Sequence, residues 1–249
     1  MLKITRFILY DEPTVPEIQL ERMKNFLTET FQIKVDTRKN FFQNEDNRKI
    51  LDKITRTRIY DLKKPFGKQP HIEDKDKINT EELLLYDGFE FHKIVREGIP
   101  ENENDINTLH VIFTKILIGT FDESDYRYHA RAMIGANPAI ISTTGIIEAP
   151  AKSKQYYLDK LTNSFLEKTE DIDTKYKGEF LEYHDLRISD IIEGYLLQVI
   201  LYHETGDAFC EEKHCRLYNA HWQKDLLFSQ LESKKFCKRH LEILDNLKN

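Results

Sequence analysis

The chain opens with apolar and polar residues that alternate as in a strand and then follow a helical spacing. Residues 2–10, LKITRFILY, alternate like a half-buried β-strand. Residues 16–30 follow a helical spacing, and residues 31–37 alternate again. This β-α-β opening predicts an α/β domain, followed by a helix over 43–58 and a loop or inserted arm over 59–80.

The middle of the chain has the apolar content of a sheet core. Asp87-Gly88 lies between two apolar runs and predicts a hairpin, because both residues tolerate positive φ in a tight turn. Residues 109–121 are mostly apolar and predict one central strand buried on both faces. The segments YRYHARAMI (126–134) and PAIISTTGII (138–147) predict two further strands.

The last third of the chain has helical periodicity. It predicts four helices, over residues 153–168, 185–205, 219–233 and 238–247. Gly206 follows the second of these and is expected to end it in the left-handed conformation.

We therefore predict a single domain over residues 1–249, in which a mixed, twisted α/β sheet packs on helices. Its expected parts are an N-terminal α/β region with the inserted loop and hairpin (1–108), the sheet core and the long helix (109–205), and a C-terminal subdomain (206–249).

Composition narrows the classes of function. The net charge of −6 disfavours nonspecific nucleic-acid binding, which requires an excess of Lys and Arg to neutralise phosphates. No apolar run approaches the roughly 20 residues that span a bilayer, and the first residues lack the pattern of a signal peptide. We therefore expect a cytoplasmic protein without a membrane partner.

The three cysteines all lie near the carboxyl end, at the spacing of metal ligands. Cys210-x4-Cys215 is followed after 21 residues by Cys237-x2-His240. Two such pairs can fill the tetrahedral shell of one Zn²⁺, and a filled shell is structural because catalysis needs an open position for water. His214 is an alternative ligand, and three buried thiols with a surface histidine are the alternative without metal.

The same region resembles a known family. Archaemetzincins, zinc peptidases of the metzincin clan, carry His-Glu-x-x-His-x-x-Gly-x-x-His, then two cysteines around a turn and a later Cys-x-x-Cys. Residues 199–217, VILYHETGDAFCEEKHCRL, and 236–240, FCKRH, resemble this frame. The resemblance implies a metzincin-like fold and aligns His203 with the second catalytic histidine, Leu217 with the methionine of the turn, and the cysteines and His240 with the later ligands. Residues 109–245 are also similar to an archaeal group described as metallopeptidases.

Three positions depart from the peptidase motif. Val199 and Ile200 replace the first zinc ligand and the general base, and Phe209 replaces the third ligand. We expect these apolar side chains to occlude the former active-site cleft. The resemblance therefore implies a zinc-binding scaffold without metzincin peptidase catalysis.

His203 supports two readings. It can cap the end of its helix at the edge of the core. Alternatively, His129 and His221 could join it, with Asp207 or Glu204, in a rebuilt metal site that holds a second ion. The first hypothesis for function is thus a non-peptidase that binds a peptide or protein partner in the old cleft, and the second is a metal-dependent peptidase or hydrolase.

Overall fold

The computed structural model describes residues 2–43, 45–70, 83–166 and 171–248, so the predicted arm over 59–80 lies partly outside the described residues. The strands are β1 (Arg6–Tyr10), β2 (Lys34–Arg38), β3 (Arg58–Ile59), β4 (Leu85–Asp87), β5 (Thr108–Thr114), β6 (Leu117–Asp122), β7 (Arg127–Arg131), β8 (Met133–Ile134) and β9 (Ala139–Ser142).

The helices alternate with these strands in the first part of the chain and dominate the last part. They are α1 (Leu20–Phe31), α2 (Glu45–Thr55), α3 (Gly88–Glu97), α4 (Thr143–Glu148), α5 (Lys154–Phe165), α6 (Ile172–Lys175), α7 (Ile188–Thr205), α8 (Gln223–Leu227) and α9 (Lys238–Lys248). Short 3₁₀ turns occur at Phe41–Gln43, Phe66–Lys68 and Glu101–Glu103, and a π-helical turn, Phe228–Ser233, continues α8.

Two sheets are formed by the described strands, and they confirm the predicted mixed α/β architecture. The five-stranded sheet has the order β2-β1-β5-β9-β8, in which only β8 runs antiparallel to its neighbour. The four-stranded sheet has the order β3-β4-β6-β7 and pairs β4 and β6 in parallel.

The five-stranded sheet is buried on both faces. Phe7 and Leu9 of β1 belong to the main core, which includes buried residues of α1, α7 and α9. Ile8 and Tyr10, whose side chains point to the opposite face, belong to a second cluster with residues of α2 and α3. In agreement with this double burial, every residue of the central strand β5 is buried.

The predicted hairpin at Asp87-Gly88 is wrong. Asp87 ends β4, and its carboxylate accepts hydrogen bonds from the backbone N–H groups of Phe89 and Glu90, at 3.0 and 2.9 Å, as the N-cap of α3. The buried hydroxyl of Tyr128 also donates to Asp87 at 2.5 Å. Aspartate favours both tight turns and N-caps, so the local sequence is compatible with either structure. In the folded chain the hydrogen bond from Tyr128 holds the Asp87 side chain at the start of α3.

The predicted single strand over 109–121 is also wrong. β5 ends at Thr114 and β6 begins at Leu117 in the other sheet. The connecting residues are anchored by hydroxyl groups from the start of α4, because Ser142 donates to the Ile116 carbonyl and Thr144 to the Lys115 carbonyl, both at 2.7 Å.

The predicted strand over 138–147 is correct only in its first half. It becomes α4 after Ser142, whose hydroxyl accepts the N–H of Gly145 at 2.9 Å as the N-cap.

The helices of the last third match their predictions more closely. The helix predicted over 185–205 is α7, and Gly206 ends it in the left-handed conformation with φ of 80°. The helix predicted over 219–233 begins only at Gln223 and becomes π-helical after Leu227. Among the described residues, none of the helices has the length and apolarity that crossing a bilayer requires.

Gly145 allows the corner between β7 and β8 to contact α4, which makes it a test of this fold. A Cβ atom at Gly145 would lie 2.1 Å from the backbone oxygen of Arg131. Backbone must move to admit it, so we expect Gly145→Ala to lower the free energy of unfolding by about 2 kcal/mol or more. Urea denaturation measures the change. Gly67→Ala is the matched control, because a Cβ at Gly67 meets nothing within 4 Å; equal stability of both variants would contradict the packing described.

Candidate metal centre and adjoining cleft

Four candidate metal ligands from two distant segments meet in the C-terminal part of the chain. Cys210, Cys215, Cys237 and His240 are all buried, and one ligand atom from each lies within 4.8 Å of the others. The sequence-predicted set is therefore brought together by the fold.

The separations fit a tetrahedral ion. The Sγ atoms of Cys210 and Cys237 are 3.8 Å apart, and Nδ1 of His240 lies 3.1 Å from Sγ of Cys237 and 3.7 Å from Sγ of Cys215. With Zn–S of about 2.3 Å and Zn–N of about 2.0 Å, a regular tetrahedron requires about 3.8 Å between sulfurs and about 3.5 Å between sulfur and nitrogen. The donors thus fit Zn²⁺ in type, number and spacing.

A short loop positions the first two cysteines. The Cys210 N–H donates to the Leu217 carbonyl at 2.8 Å, and the Asn219 N–H donates back to the Cys210 carbonyl at 3.0 Å. The Cys215 N–H donates to the Glu212 carbonyl at 2.9 Å. The Glu212 N–H points at Sγ of Cys210 at 3.4 Å, which stabilises a thiolate there.

The start of α9 positions the other two donors. Cys237 directly precedes the helix, and its carbonyl accepts the Leu241 N–H at 2.9 Å. His240 lies in the first helical turn, three residues after Cys237, so both side chains face the same side. The short Cys-x2-His spacing is therefore satisfied by a single helical turn.

Burial disfavours the charged, metal-binding form of the cysteines when no cation is nearby. Burial raises the pKa of the Cys210 thiol to about 12 and raises the pKa of Cys215. It lowers the pKa of His240, which keeps this imidazole neutral and able to donate a lone pair. A dication bound here would stabilise the thiolates and offset the free energy that their burial costs. Its binding would release the protons of the thiols.

A buried charge network connects the metal-binding loop to α7. Arg216, which follows Cys215, contacts the Glu193 carboxylate of α7 at 2.9 Å. Arg22 of α1 reaches the same carboxylate at 2.8 Å, and the Gln230 amide donates to the Arg216 carbonyl at 2.6 Å. Sequence reasoning missed this network, although Glu193 is a charged residue within an otherwise apolar helical run.

A cleft of about 440 Å³ adjoins the metal-binding loop. One wall is α7, another is the strand segment 130–136, and the third consists of Ala208, Phe209 and residues 218–221. Tyr195, Gln198 and Tyr202 are the residues of α7 that line the cleft. They follow a spacing of three and four, so they lie on one face of the helix.

The prediction that Val199, Ile200 and Phe209 occlude the cleft is wrong for the first two. Val199 and Ile200 are fully buried in the main core and are not among the cleft residues. Phe209 does line the cleft and is 39% exposed. Successive helix residues point about 100° apart, so the neighbouring Gln198 lines the cleft while Val199 faces the core.

The three histidines of the hypothetical rebuilt site have separate surroundings. Nε2 of His203 lies 2.9 Å from the Ile106 carbonyl. His129 pairs with Asp125 at 2.8 Å and forms a partly exposed group with Asp122. His221 lines the cleft. Within the described ranges, no group of three possible ligands includes His203 or His221.

Two buried polar atoms in the cleft were not anticipated. Gln198 is only 2% exposed, and its Oε1 has no hydrogen-bond partner among the described residues. Nε2 of His92 on α3 is likewise buried without a partner. Burial lowers the pKa of His92, which leaves an uncharged ring. Gln198 stands out in the sequence as a polar residue within the apolar run of α7, whereas His92, between Phe91 and Lys93, gives no such signal.

Comparisons with known proteins give one similar crystal structure and one matching family. The crystal structure of a zinc-dependent peptidase from Methanocorpusculum labreanum (strain Z) is similar, with a TM-score of 0.46, 12% sequence identity, and coverage of 98% of this chain and 100% of that chain. No curated protein has significant sequence similarity to the chain. The profile of one family, described as "Probable metallopeptidase family (DUF6775)", matches residues 3–247. This match spans nearly all of the 249 residues, and the chain therefore belongs to that metallopeptidase family.

Proposed function

We propose that this chain is a zinc-binding protein in which the Cys3His centre is structural and the cleft binds a peptide or a segment of a protein partner without metzincin-type hydrolysis. One Zn²⁺ would be held by Cys210, Cys215, Cys237 and His240. Four protein ligands leave no position for a reactive water, which is the arrangement of structural zinc sites.

The lining of the cleft is the observation that carries the proposal. A zinc that activates water generally has three protein ligands, and hydrolysis also needs a group that accepts the proton of the water. The described lining contains His92 and His221 but no carboxylate and no thiol. The helix α7, which the sequence resemblance aligns with the catalytic helix of metzincins, contributes Tyr195, Gln198 and Tyr202 to the lining.

The strand wall of the cleft supports a peptide as the ligand. β8 is the end strand of the five-stranded sheet, so its outer edge offers backbone donors and acceptors to an added strand. The unpartnered Oε1 of Gln198 can accept a peptide N–H, and Nε2 of His92 can accept another. Tyr195 and Tyr202 supply apolar surface for side chains.

Membership of the metallopeptidase family favours the alternative, a metal-dependent hydrolase. That function would require a second metal ion outside the Cys3His centre, around His203 or the cleft histidines. Metal content therefore separates the two functions.

The structural-zinc proposal predicts one zinc per purified chain by elemental analysis. Cys237→Ser should lower this ratio well below one, because it removes one of four buried donors. His203→Ala should keep one zinc, and His214→Ala, next to Cys215 but exposed, is the matched control and should also keep it. Two zincs per chain, with one lost in His203→Ala, would favour the hydrolase.

Removal of zinc should loosen the C-terminal subdomain first. The donors join the 210–215 loop to the start of α9, so their release frees residues 206–249. Limited proteolysis with and without a strong chelator should show the earliest new cleavages in this segment. The proposal loses support if the chelator removes the metal but leaves the cleavage pattern unchanged.

The cleft proposal predicts binding of an unfolded chain without cleavage. β-Casein serves as the extended probe, and fluorescence polarisation and electrophoresis report binding and integrity. Gln198→Leu should weaken binding about tenfold, equivalent to about 1.4 kcal/mol for a lost buried hydrogen bond. Gln155→Leu, on the exposed side of α5, is the control and should bind like the wild type. Zinc-dependent cleavage of casein, or equal binding by Gln198→Leu, would refute the proposal.

A further inference from the structure

A second cavity, of about 260 Å³, lies at the carboxyl edge of the five-stranded sheet. It is lined by Thr14 and Val15 from the segment after β1, by Lys115 after β5, and by Thr143 and Thr144 at the end of β9. These strands are parallel neighbours, and β2 lies on the other side of β1. Open α/β sheets bind ligands outside the carboxyl ends of their strands, at the point where the strand order reverses.

Glu17 provides a buried acceptor at the wall of this cavity. Its side chain is only 10% exposed, and Oε1 contacts Nδ1 of His184 at 2.9 Å. Oε2 is buried without a hydrogen-bond partner among the described residues, and Glu17 lines the cavity. Leaving a carboxylate oxygen buried and unpaired costs free energy that a donor group in the cavity would recover.

The backbone around Glu17 is fixed before any ligand arrives. The Ser189 hydroxyl at the start of α7 donates to the Glu17 carbonyl at 2.6 Å and accepts the Gln19 N–H at 3.2 Å. Asp185 also lines the cavity, but Arg187 occupies its carboxylate at 2.6 Å. Glu17 is therefore the carboxylate that remains available to a ligand in this part of the described structure.

The other walls define the rest of the ligand. Val15, Ile147 and Ile188 give an apolar surface. Lys115 is exposed at the rim and has no ion-pair partner among the described residues, while its carbonyl is held by Thr144. The volume is below the roughly 300–1,000 Å³ of sites for drug-sized ligands, which favours a smaller molecule.

We propose that this cavity binds a free α-amino acid with an apolar side chain. Its ammonium group would donate to Oε2 of Glu17, its side chain would contact Val15, Ile147 and Ile188, and its carboxylate would face Lys115. A phosphate or nucleotide would meet the negative charge of Glu17, and a simple amine would make no contact with Lys115. This site is separate from the peptide-binding cleft and does not depend on the proposed function.

Isothermal titration calorimetry of the full chain as purified tests the proposal, with L-leucine as the probe. L-Leucine should bind, N-acetyl-L-leucine should not because it lacks the ammonium, and L-leucine methyl ester should bind more weakly because it lacks the carboxylate. Glu17→Gln should weaken L-leucine binding at least tenfold. Lys115→Met should weaken L-leucine binding but leave the affinity for the methyl ester unchanged.

Two control variants separate this site from other effects. Glu29→Gln changes an exposed carboxylate on α1 in the same way and should bind like the wild type. Gln198→Leu alters the cleft and should also keep L-leucine affinity, so a failure of the cleft proposal leaves this test intact. The ligand series on the wild-type chain gives an answer even if Glu17→Gln does not fold.

Three results would overturn the proposal. One is the absence of binding by L-leucine, L-valine and L-phenylalanine up to about 10 mM, beyond the millimolar range of weak specific ligands; Glu17 would then be satisfied by water only. Another is equal binding of N-acetyl-L-leucine and L-leucine. The third is an unchanged affinity in a folded Glu17→Gln variant.

Discussion

The rotation of α7 about its own axis is the constraint on which the other features depend. This helix has buried residues on nearly all sides, and each residue points about 100° from the next. Gly194 fixes the rotation at one point, because a Cβ there would lie 1.8 Å from Oε1 of the buried Gln230. Glu193 fixes it at another through Arg216, and Ser189 at a third through the Glu17 carbonyl.

The same helix connects the metal-binding loop, the cleft and the second cavity. Its first turn holds the backbone beside Glu17, its middle contacts the loop through Arg216, and its second half lines the cleft with Gln198. A change in the rotation of α7 would therefore disturb all three regions together. Glu193 and Arg216 are buried, and loss of Glu193 would leave the buried charge of Arg216 without its carboxylate partner.

The metal centre and the cleft differ in what their side chains offer. The centre collects three sulfurs and one imidazole nitrogen at tetrahedral spacing. The cleft offers amide and imidazole acceptors, aromatic surface and an end strand, which suit the recognition of a chain more than the activation of water. The family match covers nearly the whole chain but does not specify the chemistry of any one site. The proposed function therefore rests on the side chains of the metal centre and the cleft.

The sequence by itself determined the features that depend on local spacing. Hydrophobic periodicity and turn chemistry predict the β-α-β opening and the long helix that ends at Gly206. The spacing of cysteine and histidine predicts the ligand pairs Cys210-x4-Cys215 and Cys237-x2-His240. Tertiary structure decided the features in which one local pattern permits two outcomes. Asp87 became a helix cap because Tyr128 packs against it, and the apolar run over 109–121 divided because two sheets share it. Gln198 rather than Val199 faces the cleft because contacts from distant segments set the rotation of α7, and such contacts leave no periodic signal in the sequence.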